Sequence, residues 1–92
     1  MTTYANVEAP LKFREWQATA KLMPVEEGAA ALDISADFFD SAITTDLLVY
    51  DGGCYIECLA DGSYYLQISN SDWQAYDLER LERILYKEWY IQ

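Results

Sequence analysis

The chain has 92 residues with six Lys and Arg against sixteen Asp and Glu and no His, for a formal charge of −10. At 52% hydrophobic and 15% aromatic residues it is too apolar for a disordered acidic tail, and it lacks the run of about 18 apolar residues that a transmembrane helix needs. A pI near 4.1 sets it against direct binding of nucleic acid or anionic membranes, and Met1-Thr2-Thr3-Tyr4 does not open a signal peptide.

In chain order, Pro10 suits the first turn of a helix. Phe13, Trp16, Ala20 and Met23 come after it at helical spacing, which predicts a helix ending before Pro24. A strand competes over the same stretch, because Trp16, Ala18, Ala20 and Leu22 alternate with polar residues. Glu26-Glu27-Gly28 reads as a connection and Ala30–Ile34 as a short strand. Asp33 or Ser35 then caps a brief helix through Ile43, with Asp37 and Asp40 on one helical face.

Leu47–Tyr50, Cys54–Ala60 and Ser63–Ser69 read as three strands joined by Asp51-Gly52-Gly53 and Asp61-Gly62 turns. Alternation puts Cys54, Ile56 and Cys58 on the face toward the helices, and Tyr55, Glu57, Tyr65 and Gln67 on the more exposed one. Residues 71–76 stay open between a loop and an early helix start. Asp77 caps the last helix, whose stripe is Leu78, Leu81, Ile84, Leu85 and Trp89, with Tyr76 as a hydrophobic staple and Glu79–Arg83 as an i, i+4 pair. The expected architecture is one α+β domain over residues 1–92, a three-stranded antiparallel meander packed against N- and C-terminal helices.

The charge layout says more than its total. Residues 1–21 and 80–92 each sum to +1, while Leu22–Glu79 holds twelve acids and no base, so +1 − 12 + 1 = −10. Solubility accounts for part of this charge, and turns or caps account for Asp37, Asp51, Asp61 and Asp77. An acidic interaction surface is the competing account of the rest.

The residues offer little for catalysis. Without His there is no His triad, His acid–base group or His metal ligand. Cys54 and Cys58 on one strand would stand about 13 Å apart, beyond disulfide reach, and two Cys alone do not make a zinc site. They read as buried free thiols in a reducing cytoplasm. Asp33-x-Ser35-x-Asp37 opens like an EF-hand, yet Phe38 and Thr44 stand where the loop needs Gly and Glu. Neither a metal nor a cofactor is expected, and a carboxylate-pair enzyme built on Asp51, Asp61 or Asp72 is the least favoured reading.

The base-free span Leu22–Glu79, with the meander Leu47–Ser69 leading into the helix from Leu78, resembles small acidic phage anti-CRISPR proteins and other DNA mimics in general character. That resemblance implies a non-catalytic inhibitor in the host cytoplasm, occupying the basic nucleic-acid channel of a CRISPR effector. The expected contact set is Asp33, Asp37, Asp40, Asp46, Asp51, Glu57 and Asp61, with Tyr55 and Tyr65 as anchors. An immunity protein or antitoxin neutralising a basic nuclease is the alternative. The chain is expected to be a monomer or, through an exposed strand edge, a weak dimer.

Overall fold

The computed structural model describes residues 10–92, and the helix start expected at Pro10 is corrected: residues 10–12 are not helical, and the first helix begins at Phe13. Helix α1 spans only Phe13–Gln17. The Glu15 carboxylate accepts the Lys12 backbone N–H at 3.1 Å and so closes its first turn. The Thr19 hydroxyl donates to the Trp16 carbonyl at 2.6 Å, satisfying a helix-end acceptor and letting the chain leave. The chain then enters strand β1, Lys21–Pro24. The helix expected as far as Met23 is therefore corrected: alternation wins over helical spacing because β1 pairs antiparallel with the later strand β2, Thr44–Tyr50, from Lys21↔Val49 to Pro24↔Asp46.

The reading of residues 25–34 is also corrected. They carry helix α2, Val25–Ala31, in place of a connection and a strand. Alanine favours helix, and Glu26 and Glu27 occupy the first turn, where the macrodipole favours acids. Gly28 is no punctuation mark. A Cβ there would stand 2.9 Å from Leu47 Cδ1, so its absence is what lets α2 lie on the sheet. Asp33, at φ 59°, reverses the chain. Ser35 does act as a cap, accepting the Asp37 N–H at 3.2 Å, but the result is a single 3-10 turn, Ala36–Phe38, not a helix to Ile43. The Asp40 side chain accepts the Ala42 N–H at 2.9 Å and builds a tight turn there.

The three-stranded meander is corrected to a five-stranded antiparallel sheet, ordered β1-β2-β3-β4-β5, within the same α+β class. Strand β2 is Thr44–Tyr50, β3 is Cys54–Leu59, β4 is Tyr64–Ile68 and β5 is Ser71–Ala75. The added strands β1 and β5 are both edges, each held by one neighbour, so neither carries the long apolar run of a buried strand. The three meander strands keep the expected alternation of faces, with Gly52, Gly53 and Gly62 all at positive φ in their turns.

Helix α3, Leu78–Leu85, starts at Asp77, whose side chain accepts the Glu79 N–H at 3.1 Å. Tyr76 is exposed and does not act as a staple. From Tyr86 to Tyr90 the backbone widens to π-helical geometry. The wider turn breaks the 3.6-residue phase, which leaves Trp89 half-exposed and points Tyr86 and Tyr90 at Trp16.

Each sheet face buries its own cluster. On one, Tyr50, Cys54, Ile56 and Leu66 meet Trp16 of α1 and Leu81 and Leu85 of α3. On the other, Leu47 meets Ala29 of α2 and Phe39. Helix α2 packs mainly on β1 and β2, and α3 packs on β3, β4 and β5 from the opposite side. The second face of β3–β5 has no long helix of its own among the described residues, although Tyr55 of β3 packs against the Phe39 cluster there.

Candidate functional site

The basic residues gather on the α1/α3 side. Arg14 and Arg83 both pair with Glu79, at 2.7 and 2.8 Å, and these are the ion pairs among the described residues. Both guanidinium groups also lie over the Phe13 ring, at 5.2 and 4.5 Å. Hydrogen bonds from Arg14 and then Arg83 hold the Glu79 carboxyl well below the usual range, at about 2. Lys12, Arg80 and Lys87 stand on the same elements or their ends. Lys21 is the one described base elsewhere, on edge strand β1.

The opposite face of β3–β5 has a different chemistry. Register sets Glu57 beside Tyr65 and Tyr65 beside Gln74, with Gln67 beside Asp72. Carboxylates here take hydrogen bonds from neutral groups. Thr44 donates to Glu57 at 2.8 Å, and Tyr65 donates to Asp72 at 2.9 Å. At the end of this face, Ser63 donates to Asp61 through its hydroxyl at 2.6 Å and its N–H at 2.9 Å, which lowers the Asp61 pKa. Burial raises the Glu57 pKa against a smaller opposing effect of the Thr44 hydroxyl. Among the described residues, Glu57 is a half-buried carboxylate without a cation to hold it.

Apart from Asp61 at the end of this face, the expected contact residues separate into three groups. Asp33, Asp37 and Asp40 lie exposed on the connection from α2 to β2, on the same side of the sheet as Glu57, Tyr55 and Tyr65. Tyr55 is half-buried there and meets Phe39 edge-on at 5.8 Å. Asp37 also helps line an open groove of about 410 Å³ with Glu26, Phe39 and Thr44. Asp46 faces the other way, beside Cys58, whose thiol pKa is raised first by burial and then by the Asp46 charge. Asp51 is tied into the scaffold: its carbonyl accepts the Trp16 indole N–H at 3.0 Å and its carboxylate accepts the Tyr90 hydroxyl at 2.9 Å.

Two acids have structural roles that the sequence reading does not assign to them. Asp72 belongs to the tyrosine-bearing face, and the alternation of Asp72 and Gln74 with Trp73 and Ala75 is the signal for it. Glu82 is buried, 3% exposed, and accepts from the Tyr50 hydroxyl and the Gln17 amide, each at 2.7 Å. Its signal is position, since Leu78, Leu81, Glu82 and Leu85 fall at i, i+3, i+4 and i+7 on one helix face. Cys54 and Cys58 are free, and burial pushes both thiols up to about 11, away from reactive thiolate. Among the described residues no group of three or more Cys, Asp and Glu converges to hold a metal ion, and no helix is long and apolar enough to cross a membrane.

The two kinds of carboxylate give opposite pH signs. Glu79, lowered by its arginines, contributes stability above the unfolded pKa and loses it as pH falls toward about 2. Glu57, raised by burial, contributes most below the usual glutamate range, and that contribution is lost as pH rises through its folded pKa. Glu57→Gln is therefore expected to raise the urea midpoint at pH 7 and leave it little changed at pH 4. Equal shifts at both pH values would show that charge burial at Glu57 is not what the substitution relieves.

Compared with protein families, with curated proteins and with solved structures, the chain finds no match.

Proposed function

We propose that this protein is a non-catalytic inhibitor that occupies a basic nucleic-acid-binding surface of a partner protein as a DNA mimic. A CRISPR effector is the partner implied by its resemblance to acidic anti-CRISPR proteins, and the cytoplasm is the matching location. The supporting observation is the segregation of charge by the fold: Arg14 and Arg83 are consumed on Glu79 beside α1 and α3, while Glu57 and Asp72 across the sheet are held by neutral donors. Such a face keeps its negative potential, and a cleft of Lys and Arg built for phosphates can meet it with directional, charge-assisted hydrogen bonds. Association is then steered electrostatically and weakens as salt rises.

The test is competition with target DNA for the effector. The wild-type protein is expected to displace DNA at low salt and less so at high salt. Replacing Asp37 and Asp40 together by Lys changes the local charge by four units and is expected to weaken that displacement at least about tenfold. Effector that still binds DNA fully at saturating inhibitor would overturn the reading. Neutralisation of a co-expressed nuclease toxin would favour the immunity-protein alternative.

A further inference from the structure

Resting on that docking reading, we propose that the helix-free face of β3–β5 is an arginine-selective docking site, with Glu57 receiving the guanidinium and Tyr65 and Tyr55 flanking it. The occupant is an arginine-bearing segment of the basic partner. Charge complementarity is the first argument. Glu57 and Asp72 stand on this face, and no Lys or Arg lies on β3, β4 or β5.

Geometry is the second. Glu57 sits directly across from Tyr65, so a carboxylate and an aromatic ring are neighbours on adjacent strands. Tyr55 lies two residues along the same strand on the same face. A guanidinium needs that pairing: a carboxylate for forked hydrogen bonds and a ring face for stacking. A lysine ammonium can use the charge but neither the fork nor the stack. Thr44 already fixes one Glu57 oxygen at 2.8 Å, which orients the carboxylate before a ligand arrives. The amides of Gln67 and Gln74 supply further polar contacts at the rim. Half-burial of Glu57 strengthens the pull on an incoming cation, because solvent screens it less than a fully exposed acid.

The experiment uses the intact protein, isotopically labelled, titrated with capped hexa-arginine and capped hexa-lysine peptides at one ionic strength. Hexa-arginine is expected to bind several-fold more tightly, with the largest backbone shifts at Tyr55, Glu57, Tyr65 and Asp72. Glu57→Gln is expected to abolish the preference while keeping the wild-type spectrum elsewhere. Tyr65→Phe is expected to retain the preference and Tyr65→Ala to reduce it, which separates stacking from the hydroxyl. Equal affinity for the two peptides, no binding of either, or shifts confined to Glu26, Glu27, Asp33 and Asp37 would each overturn the proposal. Arginine selectivity together with failed displacement of DNA would leave the face standing and remove the DNA-mimic reading. Displacement of DNA without arginine selectivity would do the reverse.

Discussion

Trp16→Ala is expected to cost about 3–5 kcal/mol, the largest loss from any single truncation in this chain. Trp16 is 0% exposed and stacks on Tyr50 at a centroid distance of 4.5 Å. Phe13, Tyr86 and Tyr90 surround the same ring at 6.1, 5.4 and 5.8 Å, so one indole joins α1, β2 and the π-helical turn. Truncation leaves a cavity that rigid rings close poorly, because they cannot follow the lost volume as aliphatic chains do. The indole N–H also anchors the Asp51 carbonyl at 3.0 Å, so the β2–β3 turn loosens as well. A domain of this size has a total stability of roughly 5–14 kcal/mol, and the variant should be close to unfolding. Urea denaturation at neutral pH checks it. Trp16→Phe keeps the stack and loses the indole hydrogen bond, and it should fall well short of the alanine effect. A midpoint for Trp16→Ala within experimental error of wild type would deny the indole its central place.

Glu82→Ala is expected to cost about 2–4 kcal/mol although it removes a negative charge from a very acidic protein. Net repulsion argues for stabilisation, yet local geometry argues the other way and is the larger effect. The Tyr50 hydroxyl, on a side chain only 3% exposed, has Glu82 as its acceptor at 2.7 Å. Removing the carboxylate orphans that donor and frees the Gln17 amide held at 2.7 Å. The pair is mutually dependent. Desolvation first and the Glu82 hydrogen bond second push the Tyr50 pKa up, so the tyrosine remains a donor at any ordinary pH. Tyr50→Phe combined with Glu82→Ala should therefore cost less than the sum of the two single changes by about 1 kcal/mol. Strict additivity would place the two side chains in separate interactions.

The candidate surface divides along the same line between local and distant causes. Asp37 and Asp61 are legible as turn or cap acids: Asp37 sits in the first turn behind the Ser35 cap, and Asp61 holds Ser63 two residues on. Asp51 is legible as a turn residue but not as the acceptor for Tyr90, 39 positions away. Alternation alone assigns Tyr55, Glu57, Tyr65 and Gln67 to one face, and the sheet keeps them together, although Tyr55 and Glu57 are half-buried there rather than exposed. Asp46 belongs with the other acids only in the sense that all lie in one base-free span. Its parity on β2 turns it to the opposite face, an outcome that only the register at the Thr44/Asp46 irregularity decides.

What the sequence determined by itself was whatever depends on near neighbours. The two Asp-Gly turns need glycine at positive φ, the three strands between and beside them come from period-two alternation, and α3 comes from its cap and apolar stripe. The tertiary structure alone decided the rest. Lys21–Pro24 is a strand because β2 offers it a hydrogen-bonding edge, and Ser71–Ala75 is one because β4 does the same. Val25–Ala31 carries local helix signals in its alanines and first-turn acids, but its seat on Leu47 through the missing side chain of Gly28 is a tertiary contact. The charge pattern obeys the same rule. Composition set −10, but pairing across 65 residues brings Arg14 to Glu79 and collects cations beside the helices. Long-range contacts, invisible to any local window, turn a net charge into a face.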